Sequence, residues 1–160
     1  MVERIHILEE LLVMKKNNEE LFEGSVEIYM STLKFLEQVL SEPTKQYHIS
    51  FEQFLILRNV RYHDDVTQMG IAEQRKVTRS AIARQIKSLL QLEYISQTPE
   101  PKDQRKLYLR LTDRGAEVED QIDQEVHKVF EGWVAKMGED KVTELLKLLQ
   151  EFGSKIMVTK

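Results

Sequence analysis

The chain has 160 residues, 41% of them hydrophobic and 31% charged, which suits one compact domain, or a small domain with added helices, and excludes a disordered chain. It has no cysteine, so disulfides, zinc-thiolate sites and thiol redox sensing are excluded. Net charge is −4, yet segment 75–114 holds ten Lys or Arg against four Asp or Glu, a local +6 that leaves −10 elsewhere. One basic surface on an acidic body is the footprint of a protein that docks on a polyanion at one place.

In the first residues, Glu3, Glu9 and Glu10 interrupt the apolar run and no small-residue cleavage site follows. Neither a signal peptide nor a membrane span is expected, and the expected location is the cytoplasm. Ile5, Leu8, Leu11 and Leu12 mark a first helical stretch, and the polar "KKNNEE" after it allows a bend. Phe22, Val26, Tyr29, Leu33, Leu36 and Leu40, three or four apart, then predict a long amphipathic helix ending at "SEPT", where Pro43 cannot continue it.

Ser50 before "FEQFLILRNVRYH" predicts an N-capped helix burying Phe54, Leu55 and Leu57. A short helix is expected from Thr67 to Arg75 and another from Thr78 to about Leu92. The second carries Ile82, Ile86, Leu89 and Leu90 on one face and Ser80, Arg84, Lys87 and Gln91 on the other. Two short helices about three residues apart, the second apolar on one side and basic or polar on the other, predict a helix-turn-helix.

Next, "YISQT" and "KLYLRL" alternate apolar and polar residues around "PEPKDQR", which predicts a β-hairpin. Leu107, Leu109 and Leu111 share its buried face, and Tyr94 and Tyr108 are expected to pack. Arg110 and Arg114 are expected to be solvated or paired with Asp103 or Asp113. Thr112 caps a long helix with Val118, Ile122, Val126, Val129, Trp133 and Met137 in its stripe. After a break at Gly138, Val142, Leu145, Leu146, Leu149, Phe152 and Ile156 mark the last helix.

A hairpin directly after a recognition helix is a wing, whose tip can reach the minor groove while the helix occupies the major groove. The tip carries Lys102, Arg105 and Lys106, Asp103 can orient Arg105, and Pro99 and Pro101 stiffen the loop. The apolar stripes at both ends of the chain, including Ile5, Leu8, Trp133, Phe152 and Ile156, need more cover than so small a head supplies. A homodimer would bury them. The fold class is therefore mainly α with a small β-hairpin: a winged helix-turn-helix head, 46–111, and long terminal helices, 1–45 and 112–160, that form a dimer interface.

"VTRSAIARQIKSLLQLEYI" followed by "PKDQRKLYLRLTDRG" resembles the recognition helix and wing of MarR-type transcriptional regulators. The wing's Asp-x-Arg, followed by a strand and Leu-Thr-x-x-Gly, stands here as Asp103, Arg105, Leu111, Thr112 and Gly115. The resemblance implies an obligate homodimer whose first and last helices interdigitate and whose two heads read a pseudo-palindromic operator in double-stranded DNA. It implies major-groove or phosphate contacts for Ser80, Arg84 and Lys87, and phosphate contacts for Thr78 and Arg79. It makes Arg105 a minor-groove reader oriented by Asp103. It also implies a repressor released by a small aromatic or phenolic effector, for which Phe22, Tyr29, Phe54 and Leu57 are the candidate pocket. The chain departs from the family pattern at Arg75 and Lys76, where leucine and glycine are usual, and at Glu93, where glycine is usual. Arg75 offers a further base toward a phosphate.

The histidines, His6, His48, His63 and His127, are scattered, and "YHDD" at Tyr62 to Asp65 reads as a helix end, so neither metal nor cofactor is expected. No phosphate loop or nucleophile motif suggests an enzyme. The alternative function is a winged-helix protein-interaction module that turns its basic face toward an acidic partner.

Overall fold

The computed structural model describes residues 17–100 and 106–157, without the side chains of 156 and 157. It divides into two compact units, Met1–Leu40 and Ser41–Lys160. In the first unit, α1 (17–27) runs into a π-helical stretch, Ile28–Leu33, and then into α2 (Lys34–Ser41). The apolar spacing predicts an uninterrupted α-helix here, and the wider turn has a local cause. Ser31 Oγ donates a hydrogen bond to the Glu27 carbonyl at 2.7 Å, competing with the helical ladder, while the Lys34 amide reaches back to the Tyr29 carbonyl. This unit leaves Leu21, Phe22, Ile28, Tyr29, Met30 and Phe35 exposed.

In the second unit a 3-10 turn, Glu42–Tyr47, takes Pro43 in its first residues, where a missing amide costs nothing. Four helices follow, each begun by a hydroxyl side chain. They are α3 (Phe51–Tyr62), α4 (Gln68–Arg75), α5 (Arg79–Gln91) and α6 (Asp113–Met137). Ser50 and Gln53 form a reciprocal capping box, and Thr67, Thr78 and Thr112 accept from the amides of Gly70, Ala81 and Gly115. The last helix, α7 (Glu139–Met157), starts after Gly138, whose φ of 86° suits a residue without Cβ.

The hairpin pairs β1 (Ile95–Pro99) with β2 (Leu107–Leu111) antiparallel, Ile95 opposite Leu111 and Pro99 opposite Leu107. A third short segment, not foreseen from sequence, joins it: Leu109 donates its amide to the Val66 carbonyl at 2.8 Å, and Thr67 bridges Tyr108. Only Leu109 of the three hairpin leucines is fully buried, because Leu107 lies toward the tip, beyond the reach of the core. The core itself gathers Phe54, Ile56 and Leu57 of α3, Ile71 of α4, Ile82, Ile86 and Leu89 of α5, and Val118 and Ile122 of α6. The first turns of α6 are therefore part of the head.

Besides His48, which ends the 3-10 turn at φ 57°, Lys76 at φ 52° and Glu93 at φ 57° use left-handed backbone. The latter two are the positions at which the sequence departs from glycine. The geometry survives because the surrounding bonds determine it: Val77 donates to the Ala72 carbonyl, and Tyr94 to the Leu89 carbonyl at 3.0 Å. Each left-handed residue costs about 1–2 kcal/mol, partly offset by glycine's greater unfolded-state entropy. Glu93→Gly should therefore stabilise the fold by about 0.5–1 kcal/mol, seen as a rise in Tm of roughly 2 °C. A fall in Tm would show that the Glu93 side chain has a stabilising role of its own.

Candidate nucleic-acid interface

The α5 helix presents the residues expected to touch DNA. Thr78, as N-cap, places its hydroxyl 3.2 Å from that of Ser80, and no acidic residue occupies the first turn, so the positive helix end is unopposed. Thr78, Arg79, Ser80, Arg84 and Lys87 are all exposed. Ile82, Ile86 and Leu89, on the opposite face, are 2% exposed or less and fix the helix on the core. Among the described residues, Arg79, Arg84 and Lys87 have no ion-pair partner, whereas Arg58, Arg61 and Arg75 are each held by a carboxylate.

Arg75, offered by the sequence as a further base, is engaged within the chain. Its guanidinium donates to Glu52 Oε2 at 2.8 Å and to the Glu52 carbonyl at 3.3 Å, tying the turn to the start of α3. The sequence offers no local sign of this, since the two residues are 23 positions apart.

On the wing, Lys102, Asp103 and Arg105 lie outside the described residues. Lys106 is exposed and stands 3.3 Å from Glu100 Oε2, and the Glu100 amide donates to the Lys106 carbonyl at 2.9 Å. The Tyr108 hydroxyl, and after it the Glu100 carboxylate, hold the Lys106 ammonium above its ordinary pKa, so it stays charged. Tyr108 lies between two cations, with Lys106 5.0 Å and Arg110 5.3 Å from its ring centre. Arg110 donates to the Asp64 carbonyl, a partner on the α3–α4 connection that hairpin sequence alone does not suggest. Arg114 stacks on Tyr94, which is itself buried, as a packing role requires.

A cleft of about 490 Å³ lies between these parts, lined by Thr67, Gln68 and Met69 of the α4 start, Arg79 of α5, and Gln97, Lys106 and Leu107 of the hairpin. It brings Arg79 and Lys106 to one concavity. Phe54 and Leu57 of the candidate effector pocket are 1% and 0% exposed within the head core, while Phe22 and Tyr29 are 61% and 55% exposed on the N-terminal unit. Among the described residues no group of three His, Cys, Asp or Glu could hold a metal ion, and no helix is long and apolar enough to cross a membrane. His63 Nδ1 sits 3.0 Å from the Asn59 carbonyl, in keeping with a helix end.

Residues 48–106 match the model of the MarR family. An uncharacterized HTH-type transcriptional regulator from Staphylococcus aureus is 26% identical over 136 residues, covering 84% of this chain and 90% of its own. The structure is similar to S. aureus MarR in complex with salicylate and kanamycin, with a TM-score of 0.71, 22% identity and coverage of 92% and 97% of the two chains. It is similar to a cysteine-to-serine mutant of Escherichia coli MarR complexed with operator DNA, with a TM-score of 0.71, 24% identity and coverage of 83% and 95%. Wild-type E. coli MarR, in its apo form, is 25% identical with a TM-score of 0.64 and coverage of 81% and 94%. The family model on the helix-turn-helix, the regulators of like sequence and the shared winged-helix fold all agree: this chain is similar to the MarR family of transcriptional regulators.

Proposed function

We propose that the chain acts as a homodimer that binds double-stranded DNA sequence-specifically at a pseudo-palindromic operator and represses transcription from it. One observation carries this: Arg79, Arg84 and Lys87 are exposed on α5 without an intramolecular carboxylate partner, on a chain whose other regions are acidic. Free cations on one helix face have phosphates as their natural partners, and their neighbour Ser80 can bond a base edge. Lys102, Lys106 and Arg105 would extend the contact along the wing, Asp103 orienting Arg105. The operator-bound E. coli neighbour supports the same use of the fold.

The dimer follows from apolar surface. On α7, Leu145, Leu146, Leu149 and Phe152 are 44–65% exposed at helical spacing, and on α6 Phe130 and Met137 are exposed as well. Segment 46–111 would be the reading head and 1–45 with 112–160 the dimerisation region, the start of α6 serving both. The salicylate-bound S. aureus neighbour supports an aromatic effector, with Phe22, Tyr29, Phe54 and Leu57 as its candidate site. The same reading places the protein in the cytoplasm and gives it no enzymatic role. Its test is duplex binding whose affinity falls steeply as salt rises; affinity indifferent to salt would reject phosphate contact by α5.

A further inference from the structure

Behind the DNA-facing surface, α3 and α6 are joined by charge. Arg58 pairs with Asp123, and Arg61 pairs with Asp120 and lies 3.6 Å from Glu119 Oε2. One turn further along α6, His127 Nδ1 is 3.1 Å from Asp123 Oδ2, and Arg58 also stacks on the Tyr62 ring. Two permanent cations thus face three carboxylates, with a histidine beside them.

Glu119 is the member that packing does not explain. It is 1% exposed, between the core residues Val118 and Ile122, and its Oε1 has no hydrogen-bond partner among the described residues. A buried carboxylate with an unsatisfied oxygen is costly, and the joint already has two ion pairs at its rim without it. Burial pushes its carboxyl pKa up, against the pull of Arg61 and with the help of Asp120, while Arg58 opposes the rise more weakly.

We propose that Glu119 is a positioning residue for DNA reading, its charge deciding how Arg61 holds α3 against α6 and so the angle of the winged head on the long helix. This rests on the DNA-binding reading above. While Glu119 is ionised, Arg61 is shared between Glu119 and Asp120. When Glu119 takes a proton, Arg61 is left to Asp120, which points about 100° away around the helix, and α3 is freed to follow. With two arginines against three carboxylates, the cluster goes from net negative to neutral when Glu119 takes a proton. Because two heads must fit half-sites one helical turn apart, a small change of angle changes affinity.

The absence of cysteine makes the test direct. A nitroxide attached through E73C, an exposed head position, reports the head-to-head distance in the dimer by double electron–electron resonance. It is measured at about pH 8 and about pH 5.5, with duplex affinity taken on the same samples. In the otherwise wild-type chain the distance should change between the two pH values and affinity should differ about tenfold. Glu119→Gln should keep the acid-form distance at both. Glu119→Leu, which suits the core, serves as the second neutral variant should glutamine impair folding. A distance that is constant in the wild type, or that still shifts with pH in both variants, would overturn the proposal. A shift that is lost in the variants, with no duplex binding by any chain, would keep the joint and reject the DNA reading instead.

Discussion

Replacing Gly115 by alanine should cost about 3 kcal/mol, the upper part of the range for forcing a group into a filled site, and lower Tm by roughly 6–12 °C. A Cβ at this position would lie 1.8 Å from the Tyr94 carbonyl oxygen and 2.6 Å from its carbon. Both are backbone atoms, so no side-chain rotation makes room. Nor can the backbone retreat freely. Thr112 donates its amide to that same Tyr94 oxygen at 3.1 Å and its hydroxyl to the Glu93 carbonyl at 2.6 Å, while its Oγ1 accepts from the Gly115 amide at 2.9 Å. These bonds lock the end of α5, the first strand of the wing and the start of α6 into one corner. The Leu-Thr-x-x-Gly pattern is thus a steric requirement: threonine makes the corner and glycine lets the helix pass beside it. Gly132, in the same helix with open space where a Cβ would go, is the control, and Gly132→Ala should leave Tm unchanged or raise it. A Tm for Gly115→Ala within 2 °C of wild type would show that the corner yields far more easily than these contacts imply.

Arg105→Ala should weaken binding to the operator by about 1–3 kcal/mol, roughly 5- to 150-fold, with the dimer and its unfolding unchanged. The hairpin that carries the arginine is anchored by the Val66–Leu109 bond, the Arg110–Asp64 bond and the paired register from Ile95 to Pro99. Minor-groove potential favours arginine wherever the groove is narrow, so part of the loss should persist on operators that keep an A-tract at the flank and vanish on those that do not. Lys87→Ala, by contrast, should weaken all duplexes alike and flatten the dependence on salt. Equal affinity for wild type and Arg105→Ala would remove Arg105 from the interface.

Much of this architecture is legible from sequence because local chemistry and global packing agree. Ser50, Thr67, Thr78 and Thr112 stand at helix starts, the stripes at Ile82, Ile86 and Leu89 and at Val118 and Ile122 fall on the core, and the hairpin follows its alternation. The features that escaped depend on partners distant in sequence or on competition within a turn. Ser31 diverts a carbonyl and opens a π turn in a stretch whose apolar spacing fits a plain α-helix. Val66 and Thr67 meet the wing through an isolated bridge although no alternating run surrounds them. Arg75 reads as a free base until the fold brings Glu52 beneath it. Lys76 and Glu93 hold left-handed turns without glycine, because hydrogen bonds on either side determine the backbone there. Glu119 reads as an ordinary polar residue, since neither its neighbours Val118 and Asp120 nor helical spacing marks it as buried beside Arg61. At the site, the basic face of α5 was readable from its composition alone. The cleft joining Arg79 to Lys106 was not, because it exists only once the hairpin is folded against the helices.

Fluorescence anisotropy with the DNA upstream of the chain's own gene, against a scrambled duplex at two salt concentrations, tests the central claim most directly. Tight binding to the upstream duplex, well above the scrambled control and weakening steeply with salt, is the expected result. Equal and weak binding to both would contradict it and turn the basic face of α5 toward an acidic protein partner.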